Sequence, residues 1–176
     1  MDKTLLSPWQ ISIGGQSLNG TGQRSLLGEP MQAFFASRIC PGSAIRAATE
    51  WAATQAKAKA VVISGFHSPL ERSVLEMLLV AKSPAIVVLA RDAHHATLFP
   101  AWQQAAAQGY LAVISECSNE KSSPRLTNEP ARVRNNLIAA LASKICVAYA
   151  SPSGTLVAQV TQWQEAGRVV LMLQAR

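Results

Sequence analysis

Six short and almost wholly apolar runs punctuate this chain from residue 31 onward: Gln32 to Ala36, Ala60 to Ser64, Ala85 to Ala90, Leu111 to Ile114, Ile145 to Tyr149 and Val169 to Leu173. A strand that is apolar on both faces must be covered on both faces, which is the condition of a central parallel sheet. Between the runs the apolar residues change to helical spacing. Ile45, Ala48 and Ala52 share one helix face, and Leu70, Val74, Leu78 and Ala81 share another. Val133, Leu137 and Leu141 repeat the spacing, followed by Leu156, Val160 and Trp163. Strand alternating with helix predicts a Rossmann-like α/β domain over 31–176, its mostly parallel sheet covered by helices on both faces.

Residues 1–30 read differently. Leu5 to Pro30 is rich in Gly, Ser, Asn and Gln, with one strand-like stretch at Gln10 to Ile13, and predicts an irregular extension at a sheet edge. A second polar segment, Glu116 to Pro130, carries Lys121 and Arg125 and reads as a loop beyond a strand's carboxyl end, where functional loops concentrate.

A chain of 176 residues supports one well-buried core. No apolar run approaches membrane-spanning length, and the first residues lack the pattern of a secretory signal, so a cytoplasmic protein is expected. Cys40, Cys117 and Cys146 are scattered and match neither a disulfide framework nor a metal motif. Sixteen Lys and Arg against ten Asp and Glu give a net charge of +6, which favours an anionic partner such as nucleic acid or nucleotide.

In open parallel sheets ligands bind beyond the carboxyl ends of the strands, where helix N-termini attract anions. Four junctions qualify. At the first, Ser37 and Arg38 follow a strand, Gly42 permits a tight turn and Ser43 is placed to cap the next helix. The second holds Ser64, Gly65 and His67, then Ser68, Pro69 and Glu71 in a capping box, a structural role for the glutamate. His67 lacks an identified partner, and the His94-His95 pair reads as a solvated loop. The third is Arg132, Arg134 and Asn135, preceded by Arg125, with arginines spaced by two able to point together in an extended stretch. At the fourth, Ser153, Gly154 and Thr155 offer hydroxyls and backbone N–H groups to a phosphate. Trp51 and Trp102 are expected in the core. No metal or cofactor is expected.

From about Leu26 to Leu173 the order of these junctions resembles the Rossmann-like core of the DNA-processing protein A (DprA, Smf) family, within the superfamily that includes cytokinin-activating phosphoribohydrolases. Ala36-Ser37-Arg38 stands where the family shows Gly-Ser-Arg, and Ser64 to Glu71 where it shows Ser-Gly-x-Ala-x-Gly-Ile-Asp. Ser115-Glu116 and Val133-Arg134-Asn135-Asn136-Leu137 follow its Ser-Glu and Arg-Arg-Asn-Arg-Ile patterns, and Ser153-Gly154-Thr155-Leu156 its Ser-Gly-Ser/Thr-Leu. Ala36, Pro69 and Asn136 depart from it, removing two glycines and one arginine.

The resemblance implies single-stranded DNA binding in a basic pocket, homodimerisation, and a recombinase as partner in DNA uptake or recombination. It also suggests a minimal, stand-alone version of the family. In the related hydrolases a catalytic glutamate follows the Gly-Thr pair, but Ala158 occupies that place, so catalysis is not expected. Two alternatives stay open: a nucleotide-binding or sensing protein without hydrolase activity, and a degenerate dimeric scaffold.

Overall fold

The computed structural model describes residues 6–117 and 129–174. Its parallel strands are β3 (Met31–Ala36), β4 (Val61–Ser64), β5 (Ala85–Val88), β6 (Leu111–Glu116), β7 (Lys144–Tyr149) and β8 (Val170–Met172). All six apolar runs therefore form strands, with ends shifted by one or two residues as hydrogen bonding dictates. Two further strands precede them, β1 (Trp9–Ile13) and β2 (Gln16–Gly22), and the eight lie in the order β1-β2-β6-β5-β4-β3-β7-β8.

The first two strands correct the expectation of an irregular extension. They form an antiparallel hairpin, and β2 then pairs antiparallel with β6. Gly14 and Gly15 make the two-residue turn at φ of +56° and +80°, both in the region that a twist-matched hairpin turn requires. Trp9 lies across Gly20, where a Cβ would collide with the indole ring, and donates its Nε1–H to the Gly22 carbonyl at 3.0 Å. The sequence Gln-Ser-Leu-Asn-Gly-Thr-Gly is poor in β-branched residues. Tertiary pairing with β6, rather than local propensity, makes it a strand.

Helices α1 (Gly42–Ala58), α2 (Pro69–Val80) and α3 (Pro100–Ala107) cover one face, burying Ala48, Ala52, Val74 and Leu78 against Phe34, Val62 and Val87. Helices α4 (Glu129–Leu141) and α5 (Thr155–Glu165) cover the other, where Ile138, Val160 and Trp163 meet Phe35, Ile63 and Ile145. Successive residues Phe34 and Phe35 point to opposite cores, as strand pleating requires. Phe34 stacks on Trp51 with ring centroids 5.0 Å apart, and Phe35 meets Trp163 at 4.8 Å. Trp51 and Trp102 pack against the first core but are only half-buried, so neither is a full core residue.

From β3 the chain runs outward through β4, β5 and β6, then returns past β3 to place β7 and β8 on its other side. The order reverses between β3 and β7. Their outgoing connections lead to α1 on one face and α5 on the other, so a crevice opens at their carboxyl ends. Among the described residues, no helix is long and apolar enough to cross a membrane.

Candidate nucleic-acid interface

At that reversal point a cavity of about 450 Å³ is lined from the β3 loop by Ser37 and Arg38, from the β4 loop and α2 by His67, Pro69 and Arg72, from α4 by Arg134 and Asn135, and from the last junction by Ser151, Gly154 and Thr155. Each contribution has a local cause.

Beyond Phe35 the β3–β7 register shifts, which frees the Ala36 N–H from the ladder. Glu71 takes it up. Its Oε1 accepts from Ala36 N–H at 3.1 Å, while Oε2 accepts from His67 N–H at 2.8 Å and Ser68 N–H at 3.1 Å. Ser68 Oγ completes the capping box by accepting from Glu71 N–H at 3.4 Å. The carboxylate thus ties the end of β3 to the start of α2, and its oxygens are committed to structure. Burial raises its pKa; the three N–H donors and nearby Arg134 oppose that shift without cancelling it.

Beside it, Ser64 is buried in β4 and its Oγ accepts from Phe66 N–H at 3.1 Å. Phe66 has a left-handed φ of +47° although it is not glycine, and its ring is buried. That sparsely populated conformation turns the chain sharply, leaving His67 exposed at the crevice.

Arg134 reaches the crevice across Gly65, where an added Cβ would lie 2.6 Å from Nε and 2.8 Å from Cζ. Asn135 Oδ1 accepts from Arg134 Nε and Nη2 at 3.4 and 3.3 Å, and Asn135 Nδ2 donates to Gln159 Oε1 at 3.0 Å. The buried Gln159 donates to Asn136 Oδ1 at 3.1 Å and to the Arg132 carbonyl at 3.2 Å; Trp163 Nε1–H also reaches Asn136 Oδ1, at 3.2 Å. This polar chain locks α4 to α5 and holds the guanidinium in place. Asn136 therefore faces α5, and nothing places position 136 at the crevice.

On the last side, Ser37 Oγ accepts from Ser151 N–H at 2.7 Å, coupling the loops of β3 and β7. Gly154 N–H bonds to the Ser151 carbonyl at 2.9 Å, so α5 begins with Gly154 as its cap and no side chain bonded to its first N–H groups. Ser151 and Ser153 hydroxyls lie 3.3 Å apart.

Several expected site residues are not brought together. Helix α1 starts at Gly42 with Pro41 as its cap and no side-chain cap bond, so Ser43 does not cap it. Gly42 has open space around it and an ordinary φ, and neither residue is among those lining the cavity. Arg132 and Arg134 lie inside a helix rather than in an extended stretch. Residues two apart diverge around a helix, and only Arg134 lines the cavity. Arg125 lies outside the described residues. Of the histidine pair, His95 is solvated as expected, with its Nδ1 2.6 Å from Asp92 Oδ2, whereas His94 is half-buried and its Nε2 lies 3.0 Å from the Trp9 carbonyl, joining this turn to the hairpin.

One contributor was not expected. Arg72, in the first turn of α2, projects beside His67, whose pKa is depressed first by desolvation and then by the charges of Arg134, Arg72 and Arg38. Its signal was present, since an arginine one residue after the capping glutamate sits at the same strand-helix junction. Among the described residues, Arg38, Arg72 and Arg134 form no salt bridge. Three cations from three separate elements face one opening; the carboxylate that also lines it, Glu71, is spent on three backbone N–H groups and lies near Arg134 without pairing with it.

The model of the DNA recombination-mediator protein A family matches residues 12–176. The chain belongs to that family. Among solved structures, the family's core is seen in DNA processing protein A from Helicobacter pylori, whose reported subject is its single-stranded DNA binding mode. That protein has 18% identity and a TM-score of 0.73, covering 96% of this chain and 80% of that one. DprA from Streptococcus pneumoniae has 19% identity and a TM-score of 0.70, covering 95% of this chain and 62% of that one, so this chain spans about three fifths of that protein's length. The molybdenum cofactor carrier protein of Chlamydomonas reinhardtii shares the fold more distantly, with 13% identity and a TM-score of 0.52 over 82% of this chain and 76% of that one. No curated protein sequence matches the chain. The departure at Pro69 has a local explanation here, since Pro69 opens α2, whereas Ala36 gives Glu71 only a backbone N–H, which glycine would supply equally, so nothing in the structure explains alanine there.

Proposed function

We propose that this chain binds single-stranded DNA by its backbone phosphates, in the crevice between the ends of β3, β4 and β7, without acting on it chemically. The observation that carries this reading is the convergence of Arg38, Arg72 and Arg134 around His67 with no salt bridge among the described residues. Guanidinium forks suit phosphate oxygens, and α5 turns its uncapped N-terminus to the same cavity. Family membership and the single-stranded DNA binding of the Helicobacter pylori relative support the choice of polymer. A catalytic role has no support: Ala158 lies outside the cavity lining, and Glu71 is spent on three backbone N–H groups.

The test is titration of a labelled oligodeoxythymidylate over a salt series. Each phosphate contact on a single strand contributes roughly 0.7 to the slope of log affinity against log salt. Arg38→Ala and Arg134→Ala are each expected to weaken binding and reduce that slope by about this amount. Salt-independent binding, or binding indifferent to both substitutions, overturns the reading. A small nucleotide is the second reading, favoured by the α5 N-terminus as a seat for a terminal phosphate. It predicts a thermal shift with mononucleotides that oligonucleotides do not exceed.

Homodimerisation and transfer of the strand to a recombinase belong to the same proposal. The edge strand β8 supports the first, with Leu171 and Met172 both 41% exposed on a border that is unpaired among the described residues. Light scattering of the wild type against Leu171→Lys measures it.

A further inference from the structure

We propose that the cleft between α2 and α3 is a nucleobase subsite, in which Phe99 is the stacking platform for a base of the strand whose phosphates occupy the neighbouring crevice. The inference rests on the single-strand reading above and specifies what that strand presents.

The cleft encloses about 700 Å³, within the range of pockets that hold small organic groups. Its walls are Leu75 and Leu79 of α2 on one side and Leu98, Phe99 and Trp102 on the other. Phe99 is 65% exposed, far from the burial expected of a core aromatic, although the neighbouring core receives other side chains of this segment. It is held rather than loose. Its ring meets Trp102 edge to face with centroids 5.1 Å apart, and its backbone is the extended cap of α3, followed by Pro100 in the first helical position. An exposed aromatic fixed in orientation loses little conformational freedom when a planar ligand covers it.

Two observations commit the cleft to a base on a phosphate chain. First, it is continuous with the basic crevice, because His67, Arg72 and Arg134 line both. The cations stand at the boundary between an apolar chamber and an anion-attracting one. That is the alternation of a nucleotide, whose flat base and charged phosphate are covalently joined. Second, among the described residues the cleft's charged groups are Arg72, Arg91 and Arg134 against the carboxylate of Glu76, so its rim is net positive and favours an anionic ligand. A basic groove beside aromatic faces is what sequence-tolerant single-strand binding requires.

The experiment is a cycle of two proteins and two ligands, wild type and Phe99→Ala against oligodeoxythymidylate and an abasic oligomer of equal length. Stacking of one base is typically worth a loss of roughly fivefold to a hundredfold on removal of the aromatic. Phe99→Ala is therefore expected to weaken the thymidylate by that factor and leave the abasic oligomer unchanged. Phe99→Leu, which keeps apolar bulk without a π-face, should lose affinity as well. Quenching of tryptophan emission on binding should diminish in Trp102→Phe. If wild type binds thymidylate with salt dependence while Phe99→Ala and Phe99→Leu bind both ligands as wild type does, this subsite is overturned and the phosphate crevice stands. If wild type binds neither oligomer, both proposals fall.

Discussion

Arg134 lies so close over the backbone of Gly65 that a single methyl group there would come within 2.6 Å of its Nε. The two residues are on different elements, one in the loop after β4 and the other in α4. The glycine therefore acts as the bed on which a cation from the opposite sheet face crosses to the crevice.

Gly65→Ala should consequently impair the site more than the fold. Gly65 does not have a positive φ, so alanine introduces no backbone strain, and the obstructed atoms belong to the far end of a long side chain. Oligonucleotide affinity is expected to fall toward that of Arg134→Ala, with a melting temperature within a few degrees of wild type. An unchanged affinity would show that the guanidinium does not need this path.

Glu71 links the ends of two elements, and its amide isostere cannot serve three N–H donors. Glu71→Gln turns one accepting oxygen into a donor, leaving at least one buried N–H unpaired, with an expected loss of about 1–3 kcal/mol in denaturant unfolding. The pH dependence has a definite sign. Because burial holds the folded-state pKa above its ordinary value, the stability this group contributes is fully present below the ordinary carboxyl range and is lost as pH rises through the folded value. Wild type should therefore gain on Glu71→Gln as the solution is acidified toward 4.5, the ordinary value for a glutamate. The opposite trend would mean that the three N–H donors outweigh desolvation.

His67 reports the field of the three arginines. Desolvation and those charges hold its pKa below the ordinary 6.5. A bound phosphate offsets the positive field, so ligand should raise the pKa and affinity should increase as pH falls through the interval between the two values. An NMR titration of the His67 ring with and without oligonucleotide reads this directly. A pKa indifferent to ligand would place the anion away from the arginine cluster.

Gln159 carries the connection between α4 and α5. Gln159→Leu strands Asn135 Nδ2 and removes a donor to Asn136 and to the Arg132 carbonyl. Loss of the three hydrogen bonds that the buried Gln159 makes to half-buried Asn135 and Asn136 and to the Arg132 carbonyl predicts a destabilisation of about 1–3 kcal/mol. Affinity for oligonucleotide should also fall, since Asn135 would no longer hold Arg134 in register. Stability lost without any change in affinity would separate the helix lock from the site.

Much of the fold was legible in the sequence because its cause is local and repetitive. A strand buried on both faces has to be apolar at every position, and a helix lying on a sheet has to be apolar every three or four residues, so the runs from Gln32 to Tyr149 and the Leu70 to Ala81 spacing announce the layers directly, whereas the apolar run of β8 lies partly exposed at the sheet edge. The capping box at Ser68 and Glu71 is equally local and is present as expected. What chain order could not disclose is where separate segments meet. Strand β2 forms because β6 has an open edge beside it, and its Gly, Ser and Asn residues carry no strand signal of their own. Arg132 and Arg134 look equivalent until a helix turns one away, and Arg72 joins Arg38 and Arg134 only because the sheet order reverses between β3 and β7. The sequence by itself determined the layers and the supply of cations; tertiary structure decided which cations share an opening, because side-chain convergence depends on crossovers that bring distant residues within a few ångströms.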